Sequence, residues 1–280
     1  MRGTRSRSAD LARAHVQPQI RDGREPVMTL SPQEHVIART LRSKRPTFMR
    51  MRLAYGMFIS TRYRYLFVEI PKSGATTTKT LLWQIEGYGP EPRGSIHDRP
   101  VGDPRPSPVT VSPEVAEAAL FSSSHIRFCL WRDPVRRLAS AYRDKLQLGR
   151  DASPAWDFWR RKIAAAHGIS DSRDITFDRF AAFVCAQHDS ARDPHWMSQW
   201  RLALADHLDY DFVVRLDSYA RDLSCVLDAV GVPARHRPSL DARLHASDSN
   251  LMEISEATAA LIRSAYEQDY ALPGRAARCR

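Results

Sequence analysis

Tyr65-Leu66-Phe67-Val68-Glu69-Ile70-Pro71-Lys72-Ser73-Gly74-Ala75-Thr76-Thr77-Thr78-Lys79-Thr80 is the stretch that decides the fold. Its first six residues make a short apolar run rich in β-formers and bounded by a proline, the pattern of a strand buried in a parallel sheet. Pro71 ends the ladder, because it has no N–H to give and fixes its own φ. Small polar residues follow as far as Thr78, and apolar residues then return at helical spacing through Leu81, Leu82 and Ile85. The reading is strand, tight loop, helix. Such a loop leaves the first N–H groups of its helix without intrahelical partners at the positive end of the dipole, which predicts an anion site. Lys72 adds a point charge and the threonines add hydroxyl donors, so a phosphate or sulfate group is the expected occupant. The pattern G-x-x-x-x-G-K-[ST] is absent, since the lysine precedes the glycine. An ordinary βα turn with a solvated lysine is the plainer alternative.

A second unit of the same build lies downstream. Ile126 to Trp131 is apolar, Arg132-Asp133-Pro134 breaks the run, and Leu138, Ala141 and Tyr142 fall along one face of a following helix. Arg132 is expected at the C-terminal end of its strand, where open α/β sheets bind ligands. Ser140 comes eight positions later, about two helical turns on. A guanidinium and a hydroxyl so placed can grip one phosphate together. The alternative is a surface arginine and an incidental helix serine.

The segments V-E-I-P-K-S-G-A-T-T and W-R-D-P-V-R-R-L-A-S-A-Y-R-D-K together resemble the two cofactor motifs of sulfotransferases that use 3′-phosphoadenosine-5′-phosphosulfate (PAPS). The branch they resemble is the carbohydrate sulfotransferases of the chondroitin 4-O and HNK-1 type, with their bacterial relatives. A weaker likeness runs through Asp193-Pro194-His195-Trp196 and Leu208-Asp209-Tyr210-Asp211-Phe212-Val213, so that the resemblance covers roughly residues 64–271. It implies an α/β fold of the P-loop-NTPase-like kind, a three-layer sandwich with a central parallel sheet flanked by helices. It also implies that Pro71, Lys72, Ser73, Gly74, Ala75, Thr76 and Thr77 form the 5′-phosphosulfate loop, and that Arg132 and Ser140 hold the 3′-phosphate. The family usually shows a second glycine or a cysteine where this chain has Ala75. Animal members usually carry an N-terminal membrane anchor, and no such apolar helix is seen here, so the expectation is a bacterial, cytoplasmic enzyme.

The chain has 280 residues, and its 43% hydrophobic content can support a sizeable core. Net charge is +10, and residues 1–50 hold eleven Lys/Arg against four Asp/Glu, which concentrates +7 there. The rest is close to balanced, so a uniformly nucleic-acid-binding domain is not expected. The first 27 residues read as a disordered arm, or as sequence upstream of a true start at Met28. Domain limits are read as a basic arm with a short helix over 1–50 and one sulfotransferase domain over 51–280. No run is long and apolar enough for a membrane span. Cys129, Cys185, Cys225 and Cys279 lack metal or redox spacing, and buried or incidental thiols are expected.

Ser31-Pro32 starts a short helix that ends no later than Pro46, and 87–111, rich in Gly and Pro, reads as an irregular loop. Ser112-Pro113 opens a helix through Leu120, and Thr176 opens one with Phe180, Phe183 and Val184 on one face. Tyr210 to Leu216 reads as a strand, Tyr219 to Val230 as a helix closed by Gly231, and Ser255 to Tyr270 as a last helix. Trp156, Trp159, Trp196 and Trp200 could form a sugar platform, although core packing is the favoured reading.

Sulfuryl transfer needs positioning and charge stabilisation at the group in flight and at the leaving oxygen. Lys72 is the expected leaving-group residue, and the scheme requires no metal. The acceptor hydroxyl also needs a base. His97 is the first candidate and His195 the second, while His125 lies at the wrong end of its strand. Glu69, a carboxylate inside an apolar run, is left open between pairing with an arginine and acting near the acceptor. A carbohydrate acceptor is implied by the branch resemblance alone, and a lipid or small-molecule hydroxyl fits the residues equally well. The rival classes are a nucleotide-dependent kinase and a non-catalytic sulfonucleotide- or glycan-binding protein.

Overall fold

The computed structural model describes residues 37, 46–89, 96–97, 103–147, 154–240 and 252–275. Helix α1 (Pro46–Tyr55) leads into strand β1 (Met57–Ser60), and a tight turn returns the chain as β2 (Tyr65–Val68). The turn is closed by Tyr63 N–H donating to Ser60 Oγ at 2.8 Å, with Arg64 at φ 52°. Helices α2 (Ala75–Glu86) and α3 (Pro113–Phe121) separate β2 from β3 (Ile126–Trp131). Four helices then intervene: α4 (Pro134–Lys145), α5 (Pro154–Ala166), α6 (Phe177–Ala186) and the single turn α7 (Gln199–Leu202). They are followed by β4 (Phe212–Arg215), α8 (Tyr219–Ala229), α9 (Glu256–Ala265) and α10 (Glu267–Ala271).

The four strands lie in the order β1-β2-β3-β4. β2 and β3 run parallel with Tyr65 opposite Ile126, and β3 and β4 run parallel with Phe128 opposite Phe212. β1 pairs antiparallel with β2, Met57 opposite Val68. That antiparallel edge was not foreseen: its four residues follow α1 with only Gly56 between, so the short run lacks the breaker on both sides that marks β2 and β3.

Both sheet faces are covered, which is why the strands read as continuous apolar runs. Successive side chains of β2 point to opposite faces. Leu66 and Val68 pack with Met49 and Leu53 of α1, Ala116 and Leu120 of α3, and Cys129 of β3. Tyr65 and Phe67 pack with Leu82 and Ile85 of α2, Phe128 of β3, and Leu223 and Val226 of α8. Phe67 and Phe128 stack with ring centres 5.0 Å apart. Each large apolar side chain buried in this way contributes about 1.5–3 kcal/mol. This is the expected α/β architecture, helices on either side of a mostly parallel sheet.

A third cluster joins α4, α5, α6 and α9 around Trp196, which is fully buried with Trp159 at 5.2 Å and Phe180 at 5.4 Å. Trp156 is buried there too, so these rings are core. The last helix departs from its expected single span: Tyr266, at φ −123° and ψ 27°, breaks it into α9 and α10. Cys129, buried, and Cys185 are free thiols, as the expectation of buried or incidental thiols has it, whereas Cys225 is disulfide-bonded, contrary to it. Of the basic arm, residues 1–36 and 38–45, and with them the helix expected from Ser31 apart from buried Ile37, lie outside the described residues, whereas residues 46–50 begin α1. Among the described residues no helix is long and apolar enough to cross a membrane.

Candidate active site

The loop after β2 turns through two positive-φ residues, Lys72 at 67° and Gly74 at 91°. Gly74 is required twice over: its backbone is left-handed, and a Cβ there would stand 2.9 Å from Leu216 Cδ1. Ala75 is already the first residue of α2, so its side chain costs the turn nothing. The helix has no side-chain cap, and its first hydrogen bond runs from Thr78 N–H to Gly74 O at 3.1 Å. The N–H groups of Ala75, Thr76 and Thr77 therefore precede the first intrahelical bond.

β2 and β3 are parallel neighbours, so Lys72 and Arg132 leave the sheet at the same end. Arg132 Nη1 donates to Lys72 O at 3.1 Å, which ties the two sequence motifs directly and braces the left-handed lysine. Lys72 Nζ stands 3.0 Å from Asp144 Oδ2 on α4, and Lys145 Nζ shares that oxygen at 3.1 Å. Burial lowers the Lys72 ammonium from its ordinary value; Asp144 opposes this, and Lys145 and Arg132 add to it. Burial, and then Arg136 and Arg137, bring Arg132 down to about 10, still charged at neutral pH. Ser140 lies buried two turns along α4.

Three residues that sequence reasoning did not single out fasten this end of the sheet. Arg137, buried on α4, donates to Pro71 O at 2.9 Å, Met197 O at 2.7 Å and Pro194 O at 3.1 Å. Gln199 Oε1 accepts from Ser73 Oγ at 3.1 Å and from Arg132 N–H at 3.0 Å, while its Nε2 donates to Arg132 O at 2.7 Å. Asp269 on α10, fully buried, accepts from the N–H groups of Gln199 and Trp200, both at 2.9 Å. One glutamine thus spans both loops, and a carboxylate from the C-terminal helix fixes the glutamine.

The three histidines are placed very differently. His97 Nε2 meets Thr76 Oγ1 at 2.8 Å and its Nδ1 meets Lys79 Nζ at 2.7 Å, so it sits on the loop. Glu69 completes that group, 2.5 Å from Lys79 Nζ. Its carboxylate therefore pairs with a lysine and a histidine, while an arginine, Arg52, donates from Nη2 to its backbone carbonyl at 2.5 Å. Burial pushes the Glu69 carboxyl up, but Lys79 and His97 outweigh it and hold the group well below the usual carboxylate range. His195 Nδ1 meets Asp193 Oδ1 at 2.7 Å and its ring stands edge-on to Trp156 at 5.1 Å, contacts that do not reach the loop. His125, bonded to Ser124 Oγ at 3.0 Å, precedes β3 and lies at the far end of the sheet.

The model of the sulfotransferase family matches residues 55–272 of this sequence, the span that carries the sheet and both motifs. The chain belongs to the sulfotransferase family. Mouse (Mus musculus) carbohydrate sulfotransferase 14 is 27% identical over 212 residues, covering 71% of this chain and 55% of that protein. Mouse carbohydrate sulfotransferase 11 is 24% identical over 196 residues, 63% of this chain and 53% of that protein. Human (Homo sapiens) carbohydrate sulfotransferase 8 is 24% identical over 193 residues, 63% of this chain and 43% of that protein. The chain spans about half the length of these relatives. No solved structure matches it.

Proposed function

We propose that this chain transfers a sulfuryl group from PAPS to a hydroxyl of a carbohydrate acceptor. The observation that carries the reading is the junction of the two motifs, Arg132 Nη1 on Lys72 O, at one end of two parallel strands. The residues present fit such a nucleotide. Arg132 is surrounded by the cations Arg136, Arg137 and Arg143 with Asp133 opposing them, and it repels Lys72 in turn, so the repulsion on it falls when an anion enters. Gly74 lets the loop backbone turn without a side chain in the way.

When bound, the nucleotide supplies the activated sulfuryl group. The N–H groups at the start of α2, with Thr76 and Thr77, would hold the 5′ end, and Arg132 with Ser140 would hold the 3′-phosphate; Ser73, expected in this set, is instead fully buried with its hydroxyl donating to Gln199, and braces the loop. Lys72 would offer its ammonium to the leaving oxygen, the position at which sulfuryl transfer builds negative charge. His97, beside Thr76 at the loop, would accept the proton of the acceptor hydroxyl; His195 is the weaker candidate because its contacts, Asp193 and Trp156, lie away from the loop. The carbohydrate acceptor is supported by the relatives, which are named as carbohydrate sulfotransferases.

The test is transfer of labelled sulfate from PAPS to a panel of glycans, lipids and small alcohols. Label in a glycan, with kcat lowered about 10²–10⁴-fold in His97→Asn, is the expected result. Label only in non-carbohydrate hydroxyls would overturn the acceptor class, and no transfer to any hydroxyl would overturn the reaction.

A further inference from the structure

His97 is gripped at both ring nitrogens by groups of unlike character. Nε2 stands 2.8 Å from Thr76 Oγ1, and Nδ1 stands 2.7 Å from Lys79 Nζ. Glu69 Oε1 lies farther from the same Nδ1, at 3.3 Å. Behind the ring, Lys79 and Glu69 form a 2.5 Å ion pair whose side chains are 2% and 10% exposed. The backbone leading into the ring is also anchored, because buried Arg105 donates to Ile96 O and is itself held by Asp103.

Proton counting constrains the ring. A lysine ammonium has three protons and no lone pair, so it can only donate; Nδ1 must accept. A neutral imidazole has a single N–H, which is then on Nε2, donating to Thr76 Oγ1. A doubly protonated ring would set an N–H against the ammonium. The ionised Glu69 can only accept, so its contact with a bare Nδ1 is no hydrogen bond in this tautomer, though it becomes one if Nδ1 carries the proton.

We propose that Lys79 and Glu69 compete for Nδ1 and so set the tautomer of His97, which makes them positioning residues for the base. With Lys79 on Nδ1, the ring carries its proton on Nε2 and cannot take one from a hydroxyl there. With Nδ1–H given to Glu69, the Nε2 lone pair faces the place where Thr76 Oγ1 now stands. The exchange is balanced: one proton leaves Nε2 to solvent and one reaches Nδ1 from solvent, the side chain being 43% exposed. Lys79 stays an ammonium and Glu69 a carboxylate throughout. Only the catalytic consequence rests on His97 being the base of a sulfotransferase; the tautomer itself is readable without any turnover.

The experiment is long-range proton–nitrogen NMR of the full chain labelled with ¹⁵N-histidine, at a pH where the ring is neutral. The His97 signals are identified by their loss in His97→Asn. Wild type is expected to show a protonated Nε2 and a bare Nδ1, and Lys79→Met is expected to reverse the two. Glu69→Gln is expected to keep the wild-type pattern and to lower kcat about 10²–10⁴-fold, with KM for PAPS unchanged. A wild-type ring protonated at Nδ1, or a pattern unmoved in folded Lys79→Met, would overturn the proposal. The wild-type spectrum alone decides it if that variant fails to fold. A correct tautomer in a protein that transfers no sulfate would count against the function and leave the pairing intact.

Discussion

Gly74→Ala would place a Cβ 2.9 Å from Leu216 Cδ1 on a backbone at φ +91°. The strain of a left-handed non-glycine residue is about 1–2 kcal/mol, so a urea melt is expected to show at least that loss. The loop accepts the same strain at Lys72, where the Arg132 bond to its carbonyl and the Asp144 contact hold the residue in place. Glu69 gives the pH prediction. Its folded-state affinity for a proton is depressed, so it stabilises the fold fully above the ordinary glutamate value of about 4.3 and loses that contribution as pH falls below it. Glu69→Gln is expected to flatten the acid limb of unfolding free energy against pH; an unchanged limb would show that its pairing with Lys79 is energetically silent. At this scale the sequence marked Glu69 as out of place in an apolar run, but its partner is ten positions on, across the turn of the loop and into α2. No local pattern announces that pairing.

At the scale of elements, α7 and α10 act on the loop through Gln199 and Asp269. Gln199→Ala would leave the Ser73 hydroxyl and the Arg132 backbone N–H without that acceptor, at about 1–3 kcal/mol for each buried group left unsatisfied. Weaker binding of the 3′,5′-bisphosphate nucleotide is expected beyond the loss seen in thermal melts, because both motifs shift together. An affinity equal to wild type would show that the bridge is only structural. β2 with α2 and β3 with α4 were legible because each is an apolar run, a breaker and a helical stripe in one continuous stretch. Gln199 and Asp269 were not, since they meet their partners 67 and 70 positions apart and polar pairings leave no periodicity. The break at Tyr266 was hidden for a related reason: the apolar spacing runs on through it, so no local pattern marks where the helix divides.

Over the whole molecule, a mostly parallel sheet covered on both faces delivers two cationic loops to one end, and the family match spans that arrangement. The layered fold was legible in outline because burial on both faces erases alternation and leaves the breakers as punctuation. A ligand that binds only the folded state stabilises it, by about 2.7 kcal/mol at one hundred times its Kd. A rise of several degrees in Tm with 3′-phosphoadenosine-5′-phosphate is therefore expected, and no rise at saturation would argue against a preformed site. The most direct measurement is calorimetric titration with this nucleotide, beside ATP with Mg²⁺, on wild type and Arg132→Ala. The account predicts metal-independent binding of the 3′-phosphorylated nucleotide, weakened about 10–100-fold in the variant, the range for losing a hydrogen bond to a charged group. Preference for ATP with Mg²⁺, or an affinity indifferent to Arg132, would contradict it.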